Sequence, residues 1–147
     1  MSKQRHILVM ENADEDYQTV LDALGLAALC NEVRRVASGE DCLRQLLDLV
    51  YNNQALPAMV LIDLNTPRSD GREAILEIKR ERSLISIPLV VISGSVNPRD
   101  VSFCYAQGVN AYHVKPVVHS QHLFVLQQIF TYWLKTVVQQ TELATLE

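Results

Sequence analysis

A chain of 147 residues has room for one domain with a full hydrophobic core. Hydrophobic residues at 48% and charged residues at 20% exclude a disordered chain, and a net charge of −4 with no run of Lys or Arg leaves no electrostatic footprint for nucleic acid. The cysteines at 30, 42 and 104 are far apart, odd in number and without a CxxC pair, so neither a disulfide framework nor a structural zinc site is indicated.

The apolar segment at the N-terminus is too short for a signal peptide and runs at once into acid. The stretch from Val117 to Val138 contains His119, Gln121, His122, Gln127, Gln128 and Lys135, too many polar groups for a membrane span. A cytoplasmic protein with neither membrane nor nucleic-acid partner is therefore expected.

In chain order, His6 to Met10 is an apolar run that stops at Glu11-Asn12, a short strand. Asp14 to Asp16 open a helix whose Tyr17, Val20, Leu21, Leu24 and Ala28 recur at helical spacing. Glu32 to Ala37 is a less apolar strand suited to a sheet edge, and Ser38 starts a helix with Leu43, Leu46, Leu47 and Val50 as its expected buried face. Ala58 to Ile62 is apolar on both faces and ends on Asp63, as in a parallel strand covered by helices on both sides. The turn residues Asn65 to Gly71 follow, then an amphipathic helix over Arg72 to Arg82. Leu89 to Ile92 is a fourth strand stopping at Ser93. Asn97-Pro98 opens a helix that closes at Gln107-Gly108. Val109 to Val114 is the fifth strand and runs into Lys115-Pro116, with one long helix over about 118–140.

Strand and helix alternate five times with no repeat or linker, which predicts one α/β domain over 1–147, a parallel sheet with helices on both faces and a core over 6–134. Ligands of such sheets bind beyond the carboxyl ends of the strands. Those ends carry Glu11-Asn12, Asp63, Ser93 and Lys115. Each has a plainer reading: Asp63 as a strand's exit, Ser93 as a terminator, Lys115 as a solvated loop lysine, Asn12 as a helix cap. Together they meet the needs of phosphoryl chemistry. A carboxylate can attack phosphorus, oxygen donors suit Mg²⁺, and an ammonium and a hydroxyl can hold phosphoryl oxygens. The acidic run Asp14 to Asp16 reads as a solvated first turn without chemistry, and His119 with His122 as surface or interface residues.

The strings ILVMEN, LIDLNTPRSDGREAILEIKRE, IPLVVISGS and GVNAYHVKP, in this order from Ile7 to Trp133, resemble the response-regulator receiver domain of two-component signalling. The DLNxPxxDGRE wording is similar to the single-domain regulators that serve phytochrome-type histidine kinases. The resemblance implies a flavodoxin-like doubly wound (βα)5 fold with strand order 2-1-3-4-5 and an extended C-terminal helix. It also implies Asp63 as phosphoacceptor, and Mg²⁺ held by Glu11, Asn12, Asp63 and the backbone carbonyl of Asn65. Ser93 and Tyr112 match the switch pair, Lys115 the phosphate-binding lysine, and Pro116 a cis peptide. Pro67 and Gly71 match positions shaping the loop after Asp63, and Asn65 and Ser95 positions that tune hydrolysis of the acyl phosphate. The implied function is phosphoryl acceptance from a histidine kinase followed by a conformational change, with no output domain and no classical enzyme activity.

One position departs: the family commonly has a second acid where this chain has Asn12. At about 5 Å and an effective dielectric of about 20, deleting a carboxylate relieves roughly 3 kcal/mol of repulsion on Asp63, but it removes more attraction for a closer, divalent ion. Weakened Mg²⁺ affinity is expected. Two alternatives stand beside this reading: a pseudo-receiver that binds partners without phosphorylation, and a small phosphatase with Asp63 as nucleophile. The phosphatases that resemble it want a second aspartate where this chain has Asn65. The last helix carries Leu123, Leu126, Phe130, Trp133 and Val137 as one stripe, with Phe124, Val125, Ile129, Tyr132 and Leu134 widening it. A helix apolar nearly all round needs cover on more than one side, so a homodimer is expected, with Phe124, Ile129 and Tyr132 as interface candidates.

Overall fold

The computed structural model describes residues 4–64 and 71–139. Short runs of branched apolar residues form β1 (Ile7–Met10), β2 (Val33–Val36), β3 (Met59–Asp63), β4 (Leu89–Ser93) and β5 (Ala111–Val114). All neighbours pair in parallel in the order β2-β1-β3-β4-β5, the flavodoxin-like arrangement expected. Helices α1 (Asp14–Leu26), α2 (Gly39–Tyr51), α3 (Gly71–Arg80), α4 (Pro98–Ala106) and α5 (His119–Thr131) alternate with them. None of the described helices is long and apolar enough to cross a membrane.

Period-two alternation along the buried strands divides the core in two. Leu8, Met10, Val60, Ile62, Leu89 and Val91 face one side, where Cys42 and Leu46 of α2, Ile75 and Ile78 of α3 and Cys104 of α4 cover them. Ile7, Val9, Met59, Leu61, Val90 and Ile92 face the other, under Val20, Ala23 and Leu24 of α1 and Leu126, Ile129 and Phe130 of α5. β2 is at an edge, as its weaker apolar character suggests. Burial pushes the Cys42 thiol up to about 12, so this cysteine is core material with no thiolate chemistry.

Several local expectations shift. α1 stops at Leu26, and Ala28, placed on its stripe from spacing, lies beyond it with φ 56° and is exposed. The buried stripe of α2 is Cys42, Leu46 and Leu49; Leu47 and Val50 are exposed, because the helix is turned about one residue from the face that the leucines alone suggest. The C-terminal helix does not run unbroken to 140. α5 ends at Thr131 and continues as a π-helical turn, Tyr132–Thr136, after which Val137 is extended. The Val137 amide closes the last turn on the Tyr132 carbonyl at 2.9 Å, and the Gln139 side chain donates to the Trp133 carbonyl at 3.1 Å.

Candidate functional site

Because the sheet is parallel, every strand delivers its last residue to one edge. β3 ends on Asp63 and β4 on Ser93, while Glu11 directly follows β1 and Lys115 directly follows β5. Two backbone bonds extend the ladder past the strands: Glu11 N–H donates to the Val36 carbonyl at 3.1 Å, and Lys115 N–H to the Ser93 carbonyl at 2.7 Å. The side chains of Glu11 and Lys115 are thereby aimed from fixed backbone.

They converge on one point. The Lys115 ammonium donates to Asp63 Oδ2 at 2.8 Å, to Asp16 Oδ2 at 2.8 Å and to Glu11 Oε1 at 3.2 Å. Glu11, Asp63 and Ser93 are all buried. The carboxylate oxygens of Glu11, Asp16 and Asp63 lie within 4.8 Å of one another, a spacing that one small hard cation can bridge. Burial pushes the Glu11 carboxyl above its usual pKa, and the neighbouring Asp63 charge adds to this, while Lys115 pulls the other way. For Lys115, burial alone would favour the neutral amine. The hydrogen bonds to Asp16 and Asp63 and the charges of Asp63 and Glu11 outweigh it and hold its pKa above the ordinary lysine value.

On the other side of Asp63, Ser93 Oγ accepts from the Ser95 amide at 3.1 Å. The Ser95 hydroxyl donates to Asp100 Oδ2 at 2.5 Å, and Arg72 of α3 donates to the same carboxylate of α4. The Tyr112 phenol donates to the Ser95 carbonyl at 2.8 Å. The loop after β4 is thus tied at once to the site, to β5 and to α3.

Of the residues singled out from sequence, Glu11, Asp63, Ser93 and Lys115 meet at this edge, and Tyr112 reaches it through Ser95. Asn65 and Pro67 lie outside the described residues. Gly71 is buried, and a Cβ there would come within 3.2 Å of both Ile62 Cγ2 and the Leu64 backbone, which gives the glycine a steric reason. Asn12 is exposed and does not cap α1: the cap position is Ala13, whose amide donates to Glu11 Oε2 at 3.1 Å. No cis peptide bond occurs among the described residues, so the bond before Pro116 is trans, against expectation. Trans is the lower form by about 0.5–1 kcal/mol before proline, and Lys115 makes all its bonds in it.

Two residues were missed. The sequence pattern puts Asp16 in a solvated first turn and His122 at a surface or interface, yet Asp16 bonds to Lys115 and His122 is buried. Burial holds the His122 imidazole below its usual pKa, and Asp16, Lys115 and Asp63 all lie close enough to act on its charge. A signal existed for both. Asp16 stands four residues before Val20 on the buried stripe of α1, and His122 four before Leu126 on that of α5. A polar residue heading an apolar stripe lies over the sheet edge where the strands end. Among the interface candidates, Phe124 and Tyr132 are 60% and 52% exposed, but Ile129 is 2% exposed. Ile129 is corrected to a core residue, since it lies on the face of α5 turned to the sheet and shares one buried cluster with Leu61 and Phe130.

Residues 7–127 match the response regulator receiver domain family. The response regulator Rcp1 of Synechocystis sp. is 33% identical over 132 residues, covering 89% of this chain and 90% of that one. The phosphorylated cyanobacterial phytochrome response regulator RcpA is 32% identical with a TM-score of 0.86, covering 94% of this chain and 99% of RcpA. The Mn²⁺-bound form of Rcp1 superposes with a TM-score of 0.82 over 92% of this chain and 98% of that chain, at 32% identity. The parallel sheet, the acidic edge with its lysine and these likenesses agree, and the chain belongs to the response regulator receiver domain family, in the company of phytochrome-associated response regulators.

Proposed function

We propose that this chain is a phosphorylation-controlled switch in which Asp63 takes a phosphoryl group from the phosphohistidine of a histidine kinase, one of the phytochrome type. The observation that carries the reading is the Lys115 ammonium 2.8 Å from the Asp63 carboxylate, with Glu11 alongside, at the carboxyl edge of the sheet. An Asp63 oxygen forms the new P–O bond while the P–N bond to the kinase imidazole breaks and the imidazole keeps the electron pair. Lys115 then pairs with a phosphoryl oxygen instead of with the bare carboxylate. Ser93 Oγ, which now accepts from the Ser95 amide, turns its hydroxyl to a second phosphoryl oxygen.

The donor set fits Mg²⁺, since Glu11, Asp16 and Asp63 offer only oxygen and lie close enough to share an ion. When bound, Mg²⁺ neutralises charge that builds on the phosphoryl oxygens in transfer. Loss of the Ser95–Ser93 bond frees the loop after β4, and Tyr112, bonded to that loop, carries the change to the β5–α5 face. Phe124 and Tyr132 are exposed on that side of the molecule, with Val114 and Val117 also open to solvent, and a homodimer would cover this apolar area. A small phosphoryl donor tests the central step. Acetyl phosphate with Mg²⁺ is expected to add one phosphoryl group by intact mass, and Asp63→Asn to add none; equal labelling of the two would overturn the reading.

A further inference from the structure

Asp16 is four residues beyond Asn12, at the third position of α1, and its place is fixed from several directions. Arg35 of β2 donates through Nε to the Glu11 carbonyl at 2.8 Å, pairs with Asp14 at 2.8 Å and lies 4.6 Å over the Tyr17 ring. The first turn of α1 is therefore held against the end of the sheet, and Asp16 projects to the Lys115 ammonium at 2.8 Å.

We infer that Asp16 supplies the negative arm of the cation site that Asn12 cannot, and that Lys115 keeps the cation's place until a divalent ion takes Asp16 over; this rests on the reading of Glu11 and Asp63 as cation site and phosphoacceptor. Glu11, Asp16 and Asp63 carry −3 when ionised and Lys115 carries +1, leaving −2, the charge that a divalent ion neutralises. Without Asp16 the same sum is −1. Asp16 gains little from the arrangement without an ion. Among the described residues it pairs with Lys115 at 2.8 Å and faces two repulsions, from Glu11 and Asp63 within 4.8 Å. Because Coulomb energy falls as 1/r, two repulsions at that distance roughly cancel that attraction. A divalent charge among the three oxygens reverses the balance for every carboxylate. Asp16 is then a positioning residue that holds Lys115 in one state and draws in the cation in the other.

Isothermal titration of Mg²⁺ into the unphosphorylated, full-length protein tests this, with Asp16→Asn, Glu11→Gln and the double change Asn12→Asp with Asp16→Asn. Asp16→Asn is expected to weaken Mg²⁺ binding by about tenfold or more. The double variant, which moves the charge back to position 12, is expected to recover most of that loss, and the urea midpoint of Asp16→Asn in EDTA to stay near wild type. A purely structural role for Asp16 would lower that midpoint and would not be rescued by Asn12→Asp. Wild-type affinity in Asp16→Asn alongside weakened binding in Glu11→Gln overturns the inference and leaves the site intact. Unchanged binding in both variants overturns the cation site itself.

Discussion

Tyr112 donates through its phenol to the Ser95 carbonyl at 2.8 Å, which joins β5 to the loop after β4. The same serine gives its amide to Ser93 at 3.1 Å, so a strand-end hydroxyl and an aromatic on the neighbouring strand share one loop residue. Tyr112→Phe removes a single neutral hydrogen bond and should cost about 0.5–1.5 kcal/mol in urea unfolding. Amide hydrogen exchange at residues 95–97 should quicken in this variant and stay unchanged on β1. Equal exchange across the loop would show that the bond does not restrain it.

Asp100 makes the same loop sensitive to acid. The Ser95 hydroxyl and the Arg72 guanidinium hold its carboxyl below the usual carboxylate range. A depressed pKa contributes stability that is present above the unfolded value of about 3.9 and lost as pH falls through the folded one. Urea midpoints of wild type should therefore fall more steeply below about pH 4 than those of Asp100→Asn. Parallel acid limbs for the two proteins would contradict the latch between α3 and α4.

Lys115→Met leaves three carboxylates facing one another without their ammonium. Removing one partner of a buried ion pair costs about 3–5 kcal/mol, and the partial exposure of Asp16 places the expected loss at the lower end. Glu11, already raised by burial and by Asp63, should rise further without Lys115. A raised carboxyl favours the fold when protonated, so the variant should regain stability as pH falls from neutrality through the folded pKa toward the unfolded value of about 4.3. In wild type the Lys115 contribution is complete below its unfolded pKa of about 10.4 and is lost as pH rises through the higher folded one. Urea unfolding across pH reads both limbs.

Gly71→Ala pushes a methyl to 3.2 Å from the Leu64 backbone and Ile62. Backbone cannot yield as a side-chain tip can, so a loss of about 1–3 kcal/mol is expected, together with slower labelling of Asp63 through the displaced Leu64 turn. Labelling at the wild-type rate with the stability loss alone would confine Gly71 to packing.

Phe124→Glu with Tyr132→Glu should leave the fold intact, since both side chains are more than half exposed, and should yield a monomer by light scattering where wild type is expected to be a dimer. A wild type that is monomeric at high micromolar concentration removes the dimer from the account.

The fold was legible because its strands are short apolar runs that end on polar residues, and the doubly wound order follows from their alternation with amphipathic helices. The residues gathered at the candidate site were legible for the same reason: Glu11, Asp63, Ser93 and Lys115 each stand where a strand stops. Asp16 and His122 were not, because they sit on helices, where a polar residue normally marks the solvent face. Only their phase relative to Val20 and Leu126 placed them over the sheet edge. Ile129 failed the other way, since a helix apolar on several sides does not reveal which side the sheet takes. The turn from α-helix to π-helix at Tyr132 left no mark in the apolar pattern.

Phosphotransfer from a kinase is the decisive test of Asp63 as the proposed phosphoacceptor. An autophosphorylated phytochrome-type histidine kinase, mixed with this protein and Mg²⁺, should lose its label to wild type as an alkali-labile acyl phosphate. Asp63→Asn should take none while retaining its fold by circular dichroism. Label on a folded Asp63→Asn protein, or none on wild type from any such kinase or from acetyl phosphate, would contradict the account.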